Sequence, residues 1–294
     1  MEASQLTTRR LQPGSAPSGR APQQQGLGET FVEGIAGPVR GVLNEAGEML
    51  AFGGRAFLEL RGVWRYSAEV FRQAGILIVG SAMIIWFMEF IMGLECGIEA
   101  NYVLRGYGAS IYSGVFTAWC AIREMAPYMW GYILAAKVGC GLVAEIGSMR
   151  INDEIDALES QGVNPMRYLI ATRLAAALLT FPFIYIVGLG FHFLANYFVI
   201  VVQIHEVSRG GWELVHWSFQ NPTDILFSEI KIMFMGIAIV LVGMYYGFKA
   251  SGGPVGVGNA TARSMILNLI LIHIIGSLGT MVFWGLSPNA PIGG

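Results

Sequence analysis

The feature that most constrains the fold is a series of apolar runs, each about as long as a bilayer is thick. "GILIVGSAMIIWFMEFIMG" (Gly75 to Gly93) is the clearest. A transmembrane helix needs roughly 20 mostly apolar residues, and this run supplies them with a single acid, Glu89, near its far end. Similar runs extend from Tyr168 to about Val187, from Ile225 to Phe248 and from Ser264 to Trp284. The composition agrees. Of 294 residues, 54% are hydrophobic and 13% charged, against about 25% charged in soluble domains, and mean hydropathy is +0.55. An all-α integral membrane protein follows. The net charge of -2 offers nucleic acid no basic surface. Cys96, Cys120 and Cys140 lie scattered in apolar segments, without metal-ligand spacing or the even count of a disulfide framework.

Two regions resist a simple count. Gly108 to Met149 holds a short apolar piece, "GASIYSGVFTAWCAI", then "REMAP" with Pro127, then "YMWGYILAAKVGCGLVAEIGSM". One straight helix over all of it would overshoot the bilayer. Residues 108–126 are therefore expected to be a short or re-entrant helix or an outer extension, with the crossing made after Pro127; two full crossings are the alternative. The run from Tyr168 stays apolar to Val202, long for one crossing and short for two. Cationic flanks decide the count. With one crossing in 108–149, Arg55, Arg61, Arg65, Arg72, Arg150, Arg167, Lys249 and Arg263 share one side, and Arg105 and Arg209 the other. With two, Arg150, Arg167, Lys249 and Arg263 part from the N-terminal arginines. Five crossings are expected, in the cell membrane, with the N-terminus cytoplasmic and the C-terminus outside. His205 to Asp224, with Trp212 and Trp217, then becomes an external loop with interfacial anchors.

Residues 1–30, including "TTRRLQPGSAPSGRAPQQQGLGE", carry too few apolar side chains to fold, and no apolar stretch follows Arg9 and Arg10 as a signal peptide requires. A disordered tail is expected. In residues 31–72, apolar positions such as Leu50, Phe57, Leu58 and Trp64 interleave with Glu48, Arg55, Glu59, Arg61 and Arg65. Such a segment lies along a membrane surface, although a soluble helix packed on a partner has the same periodicity. Residues 73–294 form the transmembrane domain.

Between the second and third runs stands "AEIGSMRINDEIDALESQGVNP" (Ala144 to Pro165), with five acids: Glu145, Asp153, Glu154, Asp156 and Glu159. Asp153 suits an N-cap with Asp156 three residues on, Gly162 a C′ position, and Pro165 a stop. A short helix over Asp153–Gln161 is expected, with Ile151, Ile155 and Leu158 as its apolar stripe. Two turns have little stability alone, so the stripe docks on the span ends or on another protein. A loop helix that merely joins two spans fits equally well. The acids are spread around the helix rather than convergent, which argues against a catalytic pair or a metal site.

Ionisable residues within spans are functional candidates because they are expensive there: Glu89, Arg123, Glu124, Lys137, Glu145 and Lys231. Pairing that fixes helix packing is the simpler role. Small residues in "AAKVGCGLVAEIG" permit a close helix interface, within the chain or across a dimer. The loop "KASGGPVGVGNATARS", with Gly252, Gly253, Gly256 and Gly258, invites a phosphate-cradling reading, but no Walker Lys-Ser/Thr pair or preceding strand supports it. A tight cytoplasmic turn is expected.

The run "REMAPYMWGYILAAKVGCGLVAEIGSMRINDEIDALESQGVNPMRYLIATRLAA" resembles the signature core of the MlaE/YrbE permease family, and "SEIKIMFMG" with "YYGFKASGGPVGVGNATARS" is similar to that family's fourth span and following loop. The tail and the ending "GLSPNAPIGG" look like the YrbE subunits of actinobacterial Mce systems. The resemblance implies a permease subunit of an ABC-type lipid transporter, itself no enzyme. It implies a second permease subunit, paralogous or identical, a cytoplasmic ATPase that holds the ATP and magnesium while this chain binds no cofactor, MCE-domain proteins on the outer side, and lipid import. It also implies that Asp153, Glu154, Ile155, Asp156, Ala157, Leu158 and Glu159 form the coupling helix that docks on the ATPase, the stripe entering a groove. Lys137 stands where the family pattern carries Arg, and Met125 and Tyr128 replace its usual Leu and Val. Two other classes compete: a scaffold that anchors MCE proteins without forming a lipid path, and a lipid-modifying enzyme. His192, His205, His216 and His273 are too dispersed in sequence to suggest the latter.

Overall fold

The computed structural model describes residues 27–286, with side chains from Arg40 onward and Thr117 excepted. Most of the expected tail, and the ending after Leu286, lie outside the described residues. The chain divides into two units, residues 1–47 and 48–294. In chain order the helices are α1 (Leu27–Glu59), α2 (Ser67–Leu77), α3 (Met83–Arg105), α4 (Ser113–Cys120), α5 (Ala126–Leu134), α6 (Cys140–Ile151), α7 (Glu154–Ser160), α8 (Thr172–Tyr197), α9 (Arg209–Ser218), α10 (Pro222–Phe248) and α11 (Gly253–Trp284). Among the described residues there is no strand.

Short π segments fuse several of these into longer rods, and the tighter 3-10 segment Leu60–Tyr66 joins α1 to α2. Among the described residues, five rods are long and apolar enough to cross a bilayer: Arg40–Arg105, Ser110–Ile151, Met166–Ile204, Pro222–Phe248 and Gly253–Trp284. With no water in the bilayer core, the helix satisfies every backbone N–H and C=O within the segment. The protein is thus an all-α, multi-pass membrane protein, as its apolar runs imply.

The rods differ from the expected runs at their ends. Residues 110–126 neither turn back nor stop at Pro127; they extend the second rod, 42 residues in all. Pro127 sits in the first turn of α5, directly after the π segment Ala121–Met125. A proline there gives up an N–H that the wide turn has already freed. The third rod likewise runs unbroken through Pro182, for 39 residues. At 1.5 Å per residue it is roughly 58 Å long, about twice the hydrocarbon thickness, so the apolar run that was long for one crossing is one crossing with projecting ends. The turn between fourth and fifth rods is only Lys249–Gly252. Gly256 and Gly258 belong to α11, a correction to the long Gly-rich loop. Gly252 takes the left-handed conformation (φ 85°), and a Cβ on Gly256 would lie 1.7 Å from the Ser251 carbonyl oxygen, so the turn folds directly onto the helix start.

Helix packing is close where side chains vanish. A Cβ on Gly93 (α3) would lie 2.2 Å from the His192 carbonyl oxygen of α8, and one on Gly243 (α10) 2.8 Å from that of Gly139, just before α6. Trp130 fills the centre, fully buried, with the rings of Phe181 and Tyr185 set edge-on at 5.2 and 6.2 Å. Outward, Val79, Met83, Phe183, Phe234 and Val282 are exposed. An apolar surface of that extent belongs against lipid tails.

The His205–Asp224 segment is a helix, α9, rather than a simple loop. Trp212 is buried and stacked on His216 at 4.3 Å, so it anchors the fold and not the membrane surface; Trp217 alone of the pair is exposed.

Candidate functional site

The second rod presents Glu124, Tyr128, Tyr132, Lys137, Gly141 and Glu145 along one side. The spacing is four residues except from 132 to 137, where the π segment Ala135–Gly139 inserts one residue and keeps the stripe in phase. Lys137, Gly141 and Glu145 are exposed, the others partly so. Antiparallel to it, α11 supplies a matching series. Thr280 Oγ1 donates to Glu124 Oε1 at 2.5 Å, Tyr128 Oη lies 3.5 Å from Ser277 Oγ, and Tyr132 Oη 2.9 Å from His273 Nε2. Further along, Cys140 Sγ meets Met265 Sδ at 3.9 Å. These contacts form a polar ladder on the open side of an otherwise apolar pair of rods.

The ladder's far end, away from α7, is reinforced by charge. Lys231 Nζ donates to the Arg123 carbonyl oxygen at 2.6 Å and to Thr280 Oγ1 at 2.8 Å, and pairs with Glu124 Oε2 at 3.2 Å. It also lies 5.2 Å from the centre of the Tyr128 ring. Arg123 pairs with Asp224 at 2.9 Å, and Trp284 Nε1 donates to the other Asp224 oxygen at 2.9 Å. The Arg123 guanidinium covers the Trp119 and Trp284 rings at 4.9 and 5.4 Å. At the α7 end, Glu145 pairs with Arg173 at 2.5 Å.

The structure thus distributes the six intramembrane candidates unevenly. Arg123, Glu124 and Lys231 meet in one cluster. Lys137 and Glu145 share the ladder's face, and Lys137 has no ion-pair partner among the described residues. Glu89 is elsewhere: it is fully buried between α3 and α8, 3.1 Å from His192 Nδ1, and does not face the ladder. Sequence reading missed Tyr128, Tyr132, His273, Ser277 and Thr280 as ladder members, and Asp224 and Arg173 as partners. The four-residue spacing of Glu124, Tyr128 and Tyr132 was a visible signal; the register of α11 against it was not.

A second feature lies at the α7 end. Asp153 occupies the N-cap position, but at φ 58°, in the left-handed region, and its side chain makes no cap hydrogen bond. The expected capping box is therefore absent. Asp156 instead takes Arg150 at 2.6 Å, and the left-handed residue, which Asp tolerates better than most, turns the chain from α6 into α7. The helix ends as expected: Gly162 (φ 78°) donates to the Glu159 carbonyl at 2.9 Å and Val163 to that of Leu158 at 3.0 Å, the paired bonds of a Schellman stop. Ile155 is fully buried in the protein's own core, with Leu158 packed partly against it. Of the stripe, Ile155 is thus spent on the protein's own core, while Ile151 and Leu158 stay half-buried. What points outward is Asp153, Glu154, Asp156, Ala157 and Glu159. The following turn is tied down as well, with Arg167 pairing to Glu59 at 2.6 Å and Asn164 Nδ2 donating to its other oxygen at 3.3 Å.

Comparison with known proteins agrees with this architecture. Residues 70–282 match the family model described as Permease MlaE. The chain is 26% identical over 243 residues to the intermembrane phospholipid transport system permease protein MlaE of Haemophilus influenzae, covering 83% of this chain and 92% of that one. It is 25% identical over 219 residues to a probable ABC transporter permease protein of Rickettsia prowazekii, covering 74% and 84%. A probable ABC transporter permease protein of Synechocystis is 28% identical over 189 residues, covering 64% and 70%. A family match across most of the five rods, on a bundle with a polar ladder and an outward acidic helix, settles the classification: the chain belongs to the MlaE permease family.

Proposed function

We propose that this chain is the membrane-spanning subunit of an ABC-type lipid transporter, with a cytoplasmic ATPase docked on α7, a second permease chain facing the ladder, and an MCE-domain assembly at the opposite mouth, importing lipid. The observation that carries the reading is the family match, together with the phospholipid-transport name of the Haemophilus relative. The ladder supports it chemically. An ammonium without a counter-charge is costly at bilayer depth, so Lys137 and the Tyr132–His273 pair belong against a polar path or a second chain rather than lipid tails. Two chains that bring their ladders together enclose a path with polar walls for a headgroup and apolar flanks for the tails. The exposed acids of α7 present a negative face to a basic rim on the ATPase. The cationic flanks of the five rods favour the α7 end, which supports a cytoplasmic α7.

The test is reconstitution of the chain with its ATPase and a paralogous permease chain in vesicles holding labelled phospholipid. ATP-dependent lipid movement that falls at least tenfold on Lys137→Met, with assembly intact, is expected. Undiminished movement would remove the ladder from the path, and ATP-independent lipid turnover by the chain alone would make it an enzyme.

A further inference from the structure

A cleft of about 650 Å³ opens at the α7 end of the bundle, away from the ladder, within the size range of small-ligand sites, roughly 300–1,000 Å³. Its walls include the aromatic rings of Phe52, Tyr245 and Phe248. Five charged side chains line it: Glu48, Arg55, Arg150, Glu159 and Lys249. Most of that charge is spent. Lys249 pairs with Glu48 and hydrogen-bonds to Tyr245 Oη, and Arg150 pairs with Asp156 outside the cleft. Arg55 and Glu159 remain. Neither has an ion-pair partner among the described residues, and they do not pair with each other although both line the cleft.

One free cation and one free anion, held apart, call for a ligand that carries both charges with a spacer between them. The depth of the cleft narrows the class. Arg55 comes from α1, whose Leu50 and Leu58 are 78% and 65% exposed, with Trp64 beyond it at 84%. An apolar helix face beside basic residues lies at the boundary between headgroups and acyl chains. The aromatic walls narrow the class again. A quaternary ammonium needs open ring faces, but here Lys249 lies 4.9 Å from the centre of the Tyr245 ring and Arg150 covers Phe248 at 6.0 Å. A primary ammonium needs a carboxylate to accept its N–H groups, and Glu159 is such a group.

We propose that this cleft binds the headgroup of a zwitterionic phospholipid bearing a primary ammonium, the phosphate on Arg55 and the ammonium on Glu159. It is a site separate from the ladder, and it stands whether or not the ladder is the transport path. A lipid held there would bridge α1, α7 and the Lys249–Gly252 turn, the pieces nearest the proposed ATPase contact.

The full-length chain, delipidated in mild detergent, is titrated with short-chain phosphatidylethanolamine, phosphatidylcholine and phosphatidylglycerol, and bound lipid is counted by native mass spectrometry. Phosphatidylethanolamine is expected to bind about tenfold more tightly than the other two, the worth of one charge-assisted hydrogen bond. Arg55→Gln should weaken it by about tenfold, and Glu159→Gln should erase its advantage over phosphatidylglycerol. Equal binding of the three lipids, or parental binding by both single variants, would overturn the proposal. Competition by free phosphoethanolamine as strong as by the lipid would reassign the site to a soluble amine phosphate. Loss of ATPase co-purification in both variants with lipid binding unchanged would make the cleft a protein contact.

Discussion

Tyr132 Oη lies 2.9 Å from His273 Nε2, joining the second rod to the fifth on the side that both leave open. The direction of the bond follows from the other ring nitrogen. His273 Nδ1 is 2.8 Å from the Leu269 carbonyl oxygen, which can only accept, so Nδ1 carries the hydrogen and Nε2 accepts from the tyrosine hydroxyl. The imidazole is thereby fixed in one tautomer and one orientation. Removing the hydroxyl with Tyr132→Phe costs little stability, about 1 kcal/mol, because Nε2 stays accessible. The expected outcome is a several-fold fall in ATP-driven lipid movement in vesicles with a nearly unchanged thermal midpoint. A large loss of stability with normal transport would make the pair a packing feature only.

The Glu89–His192 pair is the opposite case. Both side chains are fully buried, and Glu89 Oε1 and His192 Nε2 have no hydrogen-bond partner among the described residues. Breaking such a hydrogen-bonded pair from one side leaves the remaining buried polar group unsatisfied, at about 1–3 kcal/mol. Glu89→Ala and His192→Ala are each expected to lower stability by that order in a detergent denaturation assay. Glu89→Leu/His192→Leu should cost much less than the two single changes combined. Additive losses would show that the two residues act independently.

These two pairs mark how far the sequence could be read. Charge within apolar runs identified Glu89, Arg123, Glu124, Lys137, Glu145 and Lys231, because the cost of ionisable groups in lipid makes them conspicuous. It could not show that Glu89 turns into the core while Lys137 turns out, since that depends on which face of each rod meets its neighbour. The count of crossings was legible from length and cationic flanks. Rod lengths were not, because Pro127 and Pro182 look like breaks, and only the local turn geometry shows that a helix absorbs them. Gly162 as a helix stop could be read residue by residue. The Asp153 cap could not, because Arg150 competes for Asp156 and the backbone adopts φ 58°.

Burial divides α7 into two roles, and substitutions should separate them. Glu154 is exposed and lies outside the cleft, so Glu154→Lys is expected to leave the fold intact and cut ATPase co-purification by about tenfold. Ile155 is fully buried, so Ile155→Ala should instead cost about 2–5 kcal/mol of stability through the cavity it leaves. Pull-down of the ATPase beside a thermal melt reads both. Full ATPase recovery with the charge-reversed variant would detach α7 from the coupling role.

His216 on α9 supplies a pH dependence outside the spans. Its Nδ1 lies 3.3 Å from the Gly114 carbonyl oxygen and donates to it, while Nε2 lies 3.2 Å from Gln220 Nε2 and accepts from that amide. The neutral ring is therefore satisfied on both sides, and Trp212 covers its face. Burial pushes its pKa down to about 4, against the ordinary 6.5, with the Gly114 carbonyl pulling weakly the other way. The unfolded segment takes up a proton near pH 6.5 and the folded one only near pH 4. The stabilising contribution is complete above pH 6.5 and is lost progressively as the pH falls toward 4, by roughly 3 kcal/mol in total. Trp212 reports on that packing directly. Tryptophan emission of the reconstituted chain is expected to shift to longer wavelength as the pH falls from 6.5 to 4, and recover on return. His216→Phe keeps the ring and discards the proton site, so its emission should be flat over the same range. A variant that still shifts as the parent does would assign the transition to another group.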